Sequence, residues 1–122
     1  MDTMLGDRAA STSIGRRPEL PAAQAAARAI AAQSPAGLAR FGRRVAGPAP
    51  CVIDDLSRIE APALVVVGAE DEAYLRAAAV MSAKLPAATQ VTIPDAGHIV
   101  NIEQADAFNA AVASFLEKLP QP

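Results

Sequence analysis

Several features that mark particular classes of protein are missing from this 122-residue sequence. It has no tryptophan, and its four aromatic residues are scattered, so nothing indicates a stacking surface for nucleic acid. No run of about 18 apolar residues could cross a membrane, and the charged first twenty residues lack the apolar core of a secretory signal. A single cysteine, Cys51, cannot form an internal disulfide. We therefore expect a cytoplasmic protein with no nucleic-acid or membrane partner.

The composition allows one small domain or a piece of a larger one. Hydrophobic residues make up 52% of the chain, but thirty of them are alanines, which bury little area, so the core stabilisation is modest at roughly 25 cal/mol per Å². The charge is uneven, with a balance of +4 over residues 1–50 and −6 over residues 51–122. Solvated helix faces explain the basic half as well as an anion-binding surface does, so it assigns no function.

Proline and glycine divide the chain into three segments. Residues 1–20 have no apolar periodicity and are expected to be irregular. Residues 21–50 predict two helices, the second of which begins after Ser34 as its N-cap. A Gly-Pro-Ala-Pro run at 47–50 then marks a turn or linker, and residues 51–122 follow a different pattern.

Residues 51–122 alternate between strand and helix patterns. Four consecutive aliphatic residues at 64–67 are typical of a strand buried on both faces of a parallel sheet. A helix is predicted over 72–85, a second strand over 89–93 and a last helix over 106–119. The predicted inner face of the first of these helices is formed by Leu75, Ala79, Ser82 and Leu85. The fold class is therefore α/β, a βαβα unit whose two parallel strands are joined by a right-handed crossover.

Two residues able to take part in catalysis follow the predicted strands. Asp71 lies four positions after the first strand, and His98, the only histidine, lies five positions after the second. Because the carboxyl ends of neighbouring parallel strands meet at one edge of the sheet, these side chains can come together. A carboxylate bonded to one imidazole nitrogen fixes the tautomer and leaves the other nitrogen free as a general base. Taken singly, a loop histidine and an acidic turn are more often ordinary surface features.

The ordered set of motifs around these two residues resembles the α/β-hydrolase family. Residues 64–71 (Leu-Val-Val-Val-Gly-Ala-Glu-Asp) are similar to the family's penultimate strand and its G-x-x-D acid turn. Residues 93–98 (Ile-Pro-Asp-Ala-Gly-His) resemble the last strand and the catalytic-histidine loop, and residues 102–116 resemble the C-terminal helix. Ala105 stands where that helix often has a proline. By the same resemblance, residues 21–50 correspond to helices of the lid, and residues 51–122 to the C-terminal part of the hydrolase sheet.

The resemblance implies a Ser–Asp–His esterase or a related acyl hydrolase that acts on a small ester-like substrate. No metal or organic cofactor is expected, because one histidine and one cysteine far apart in the chain make no ligand set. In this family the serine lies on a G-x-S-x-G elbow and precedes the acid and then the histidine in the chain. The resemblance makes Asp71 the acid, with Glu70 as the reserve, and His98 the catalytic histidine.

The nucleophile of that family has no clear counterpart in this sequence. In the nearest segment, 11–15, Ser11 stands in place of the first glycine, and no buried strand precedes Ser13. Cys51 follows a proline-rich turn and is interpreted as a structural or incidental thiol. The other serines have helix-cap, helix-surface or turn interpretations: Ser34, Ser57, Ser82 and Ser114. We therefore expect a truncated fragment of the hydrolase sheet that is inactive alone.

Two other interpretations remain open. With only two strands, the apolar strand at 64–67 has at least one edge open to another chain. The protein would then be a non-catalytic remnant or partner module that self-associates or completes another polypeptide. The second alternative, a free-standing hydrolase, depends only on the order in which Ser13, Asp71 and His98 occur.

Overall fold

The computed structural model of the protein describes residues 16–120. The candidate elbow at 11–15, with Ser11 and Ser13, lies outside the described residues, as does most of the segment expected to be irregular. The strands are β1 (Ala63–Gly68) and β2 (Ala88–Ile93). The α-helices are α1 (Pro21–Ala31), α2 (Pro35–Phe41), α3 (Glu72–Lys84), α4 (Val100–Glu103) and α5 (Ala105–Glu117). No helix in the described part of the chain is long and apolar enough to cross a membrane.

The first two helices form as their capping residues predict. Pro21 and Pro35 occupy the first helical positions, where a missing N–H costs nothing. The Ser34 hydroxyl accepts a hydrogen bond from the Gly37 N–H at 3.2 Å, as expected of an N-cap. A π-helical stretch, Gly42–Ala46, continues α2. Residues 21–50 leave several large apolar side chains exposed: Ile30, Leu38, Phe41 and Val45. Their role as a lid stays a prediction.

The two strands pair in parallel, which confirms the predicted α/β class. The register runs from Ala63 opposite Ala88 to Gly68 opposite Ile93, and α3 connects the strands. Among the described residues β1 pairs with β2 alone, so its other edge has no neighbouring strand there.

Helices cover both faces of the sheet. One cluster joins β1 to α3 and consists of Val65, Val67, Ala78, Leu75 and Leu85. The other joins the sheet to the last two helices and consists of Ile93, Ala96, Val100, Val66, Val91 and Phe108. Burial of β1 is less complete than predicted, because Leu64 and Val66 are only half-buried. The predicted inner face of α3 is wrong at one position: Ala78 is buried and Ala79 is exposed, since the contact with β1 follows an i, i+3 step from Leu75 rather than i, i+4.

Candidate functional site

Asp71 and His98 are in direct contact at the carboxyl end of the sheet. The distance from His98 Nδ1 to Asp71 Oδ2 is 2.9 Å. Asp71 occupies the N-cap position of α3, where an aspartate commonly accepts a hydrogen bond from the first helical turn. Its carboxylate makes no such bond. The Asp71 side chain therefore contacts His98 and does not cap α3.

The backbone around Gly68 docks the two loops that carry these residues. The Ala69 N–H donates to the Ile93 carbonyl at 2.8 Å, and the Glu70 N–H donates to the Ala96 carbonyl at 2.9 Å. Gly68 approaches the histidine loop so closely that a Cβ atom there would lie 2.2 Å from the Ala96 carbonyl oxygen. The close approach of the two loops therefore depends on a residue without a side chain at the end of β1.

The contact determines which nitrogen of His98 carries a proton when Asp71 is a carboxylate. A carboxylate only accepts hydrogen bonds, so in that state Nδ1 of His98 donates its proton to Asp71 Oδ2. In the neutral imidazole, Nε2 is then the unprotonated nitrogen. The Asp71 side chain is 5% exposed and that of His98 is 43% exposed. The carboxylate is therefore shielded from water, while the imidazole remains accessible to a reacting molecule.

Tyr74 packs against the imidazole from the first turn of α3. The centroids of the Tyr74 and His98 rings are 4.5 Å apart, and the ring planes are tilted by 37°. Sequence analysis missed Tyr74 as a site residue. The available signal was its position three residues after Asp71, since residues three apart share one side of a helix.

Glu70, the reserve acid, makes a different contact. Its carboxylate pairs with the guanidinium of Arg16, which also reaches Glu103 in α4. The geometry therefore favours Asp71 over Glu70 as the partner of His98. Sequence analysis did not identify Arg16 or Glu103, because nothing in the sequence relates two positions 87 residues apart.

The described serine hydroxyls and the Cys51 thiol make no hydrogen bond to this pair. Ser34 caps α2, the Ser57 hydroxyl donates to the Asp54 carbonyl at 3.5 Å, and the Ser82 hydroxyl is buried in α3. Ser114 and Cys51 are exposed. None of the serines within 16–120 is hydrogen-bonded to His98. The same residues contain no group of three or more His, Cys, Asp or Glu side chains that could hold a metal ion.

The chain is similar to known proteins in sequence and in structure. The model of the alpha/beta hydrolase family matches residues 2–111. The solved structure of MenH from S. aureus is 28% identical, with a TM-score of 0.58 over 59% of this chain and 27% of that one. The structure of Est816, described as an N-acyl homoserine lactone degrading enzyme, is 34% identical, with a TM-score of 0.49 over 52% of this chain and 25% of that one. The chain thus spans about a quarter of each structure. No curated protein sequence matches it significantly.

Proposed function

Because the chain belongs to the α/β-hydrolase family, we propose that Asp71 and His98 are the acid and the histidine of a Ser–Asp–His acyl hydrolase that acts on a small ester-like molecule. The observation that carries this proposal is the 2.9 Å contact between His98 Nδ1 and the buried Asp71 carboxylate. The position of both residues at the carboxyl end of adjacent parallel strands supports it, since that edge is where such folds bind ligands.

Each side chain of the pair has a defined role in this reaction. His98 Nε2 takes the proton from the serine hydroxyl as the oxygen attacks the carbonyl carbon, and later returns the proton to the leaving alcohol. Asp71 holds the imidazole in the Nδ1–H tautomer and stabilises the imidazolium that forms. The tilted ring of Tyr74, 4.5 Å from that of His98, limits rotation of the imidazole about its own axis.

The proposed reaction requires a serine nucleophile, and the serines that the structure describes do not supply it. We expect the 122-residue chain alone to hydrolyse esters no faster than its His98→Ala variant, because removal of the nucleophile costs several orders of magnitude. A fluorophosphonate probe, which reacts with activated serines, should leave the chain unlabelled. Labelling that is lost in Ser13→Ala would instead support the free-standing hydrolase.

The decisive experiment starts with the DNA upstream of the Met1 codon. If it encodes an in-frame apolar strand and a G-x-S-x-G elbow, the whole product is assayed with p-nitrophenyl esters. Asp71→Asn should then lower kcat by about 10³- to 10⁴-fold. Asp95→Asn is the matched control: Asp95 lies in the histidine loop with a φ of 52°, which asparagine tolerates, and activity should stay within about twofold of the parent. Full activity in both Asp71→Asn and His98→Ala would refute the proposal.

One edge of β1 has no neighbouring strand within residues 16–120, which favours a second candidate function, that of a partner module. Beside that edge lies an apolar groove lined by Val65, Val67, Tyr74, Met81 and His98. An unpaired strand edge readily pairs with another chain, so we expect the protein made alone to self-associate. Size-exclusion chromatography at micromolar concentration tests this. A monomer that unfolds cooperatively would argue against the module.

A further inference from the structure

Arg16 connects the acid turn, which carries Asp71, to α4, the helix that follows the histidine loop. Its Nε donates to Glu103 Oε2 at 3.2 Å, and its Nη2 pairs with the Glu70 carboxylate. Glu70 directly precedes Asp71, and Glu103 lies five residues after His98, in α4. One guanidinium therefore reaches the acid turn with one nitrogen and the helix behind the histidine loop with another.

Burial makes this contact more than a surface ion pair. The Glu103 side chain is 0% exposed and that of Arg16 is 23% exposed. Within the described residues Glu103 Oε1 has no hydrogen-bond partner, and Arg16 is the cation that contacts this carboxylate. A buried carboxylate without its cation is strongly unfavourable. The free energy of keeping Glu103 inside thus depends on Arg16 staying where it also contacts Glu70.

We propose that Arg16 is a positioning residue, which clamps the acid turn to α4 through Glu70 and Glu103 and so holds Asp71 and His98 at bonding distance. This inference rests on the function proposed for that pair. Arginine suits the task because its planar fork carries several donors in fixed directions, so that it can bond two carboxylates at once. A lysine ammonium on a flexible stem fixes neither direction.

The test uses His98 as its own reporter. Because the chain has one histidine, every imidazole ¹⁵N signal in its NMR spectrum belongs to His98. At a pH where the imidazole is neutral, the shifts of Nδ1 and Nε2 give the ratio of the two tautomers. In the parent we expect the Nδ1–H form to dominate, since Asp71 accepts that proton.

Arg16→Gln should lower the ratio of Nδ1–H to Nε2–H tautomer by about tenfold or more, because it unties the acid turn from α4 and also leaves Glu103 without its cation. Arg17→Gln is the matched control, since Arg17 is adjacent and contacts Glu19 at 3.8 Å instead; its ratio should equal that of the parent. A parental ratio in Arg16→Gln would overturn the proposal.

A second pair of variants decides the question even if Arg16→Gln fails to fold. Glu70→Gln removes the charge at the half-exposed end of the clamp and leaves the buried pair intact, so the fold should persist while the ratio falls about two- to fivefold. Glu72→Gln removes the carboxylate on the other side of Asp71 and should change nothing. Equal ratios in these two variants would also overturn the proposal.

A double variant separates positioning from structural support. Arg16→Gln combined with Glu103→Gln removes the buried charge, so the urea midpoint of unfolding should recover, while the tautomer ratio stays low because Glu70 is still untied. Recovery of both would mean that Arg16 only neutralises Glu103. The function proposed for the pair fails by a different result, full ester hydrolysis by the whole product in both Asp71→Asn and His98→Ala, so the two failures are distinguishable.

Discussion

Gly68 ends β1 directly against the histidine loop, and its replacement by alanine tests the docking on which the candidate site depends. The added Cβ would lie 2.2 Å from the Ala96 carbonyl oxygen and 2.3 Å from that of Gly97. Both neighbours are backbone atoms, which cannot rotate away as the end of a side chain can. Since Gly68 does not adopt a positive φ, the substitution is opposed by this close approach and not by backbone conformation.

The size of the effect follows from the distance that the loop must move. Ordinary van der Waals contact begins at 3.4 Å, so the turn at Gly68 and the carbonyl of Ala96 must separate by about 1.2 Å, the difference between 3.4 and 2.2 Å. That movement breaks the 2.9 Å bond from the Glu70 N–H to the same carbonyl. Overpacking costs about 1–3 kcal/mol and the lost hydrogen bond about 1 kcal/mol. We expect Gly68→Ala to lower the free energy of unfolding by about 2–4 kcal/mol.

Urea unfolding followed by far-UV circular dichroism measures this change. The control is Gly42→Ala, because Gly42 is helical and a Cβ there meets no atom within 4 Å; it should leave stability unchanged or raise it by up to about 1 kcal/mol. In Gly68→Ala molecules that still fold, the imidazole ¹⁵N signals of His98 should lose the Nδ1–H tautomer as the loop moves away from Asp71. Equal unfolding midpoints for the two alanine variants would refute the reasoning.

Three further predictions concern other contacts. Tyr74 is the only tyrosine, so its fluorescence should fall when the neighbouring His98 is protonated, and His98→Asn should abolish this step in a pH titration. The Lys84 ammonium, 2.7 Å from Asp54 Oδ1, lowers the pKa of Asp54 below its ordinary value by a hydrogen bond and by charge. The stability that this pair contributes is therefore complete above the ordinary pKa of an aspartate and is lost as the pH falls through the lowered pKa of Asp54. Asp54→Asn should accordingly lower the urea midpoint at neutral pH and not in strong acid. Cys51 is exposed and should react at once with a thiol reagent, without change in the His98 signals.

The short-range signals of the sequence were sufficient for the strands and the longer helices, whereas the short helix α4 (Val100–Glu103) was not predicted. The aliphatic run at 64–67 and the proline and Ser34 caps act within a few residues of the elements they define, so the predicted elements agree with the structure to within a few residues at their ends. The choice between Ala78 and Ala79 could not be made in this way. Both positions are compatible with a 3.6-residue period, and the packing of α3 on β1 decides between them.

The meeting of Asp71 and His98 was also predictable, because parallel pairing of consecutive strands brings their carboxyl ends to one edge and the 2.9 Å contact lies there. The sequence by itself thus determined the α/β class, the two parallel strands and the candidate pair. The surroundings of that pair were decided by the tertiary structure: Tyr74 beside the ring, Gly68 against a carbonyl, and Arg16 between two carboxylates. These contacts depend on side-chain directions and on approaches between segments far apart in the chain, which only the packed fold fixes.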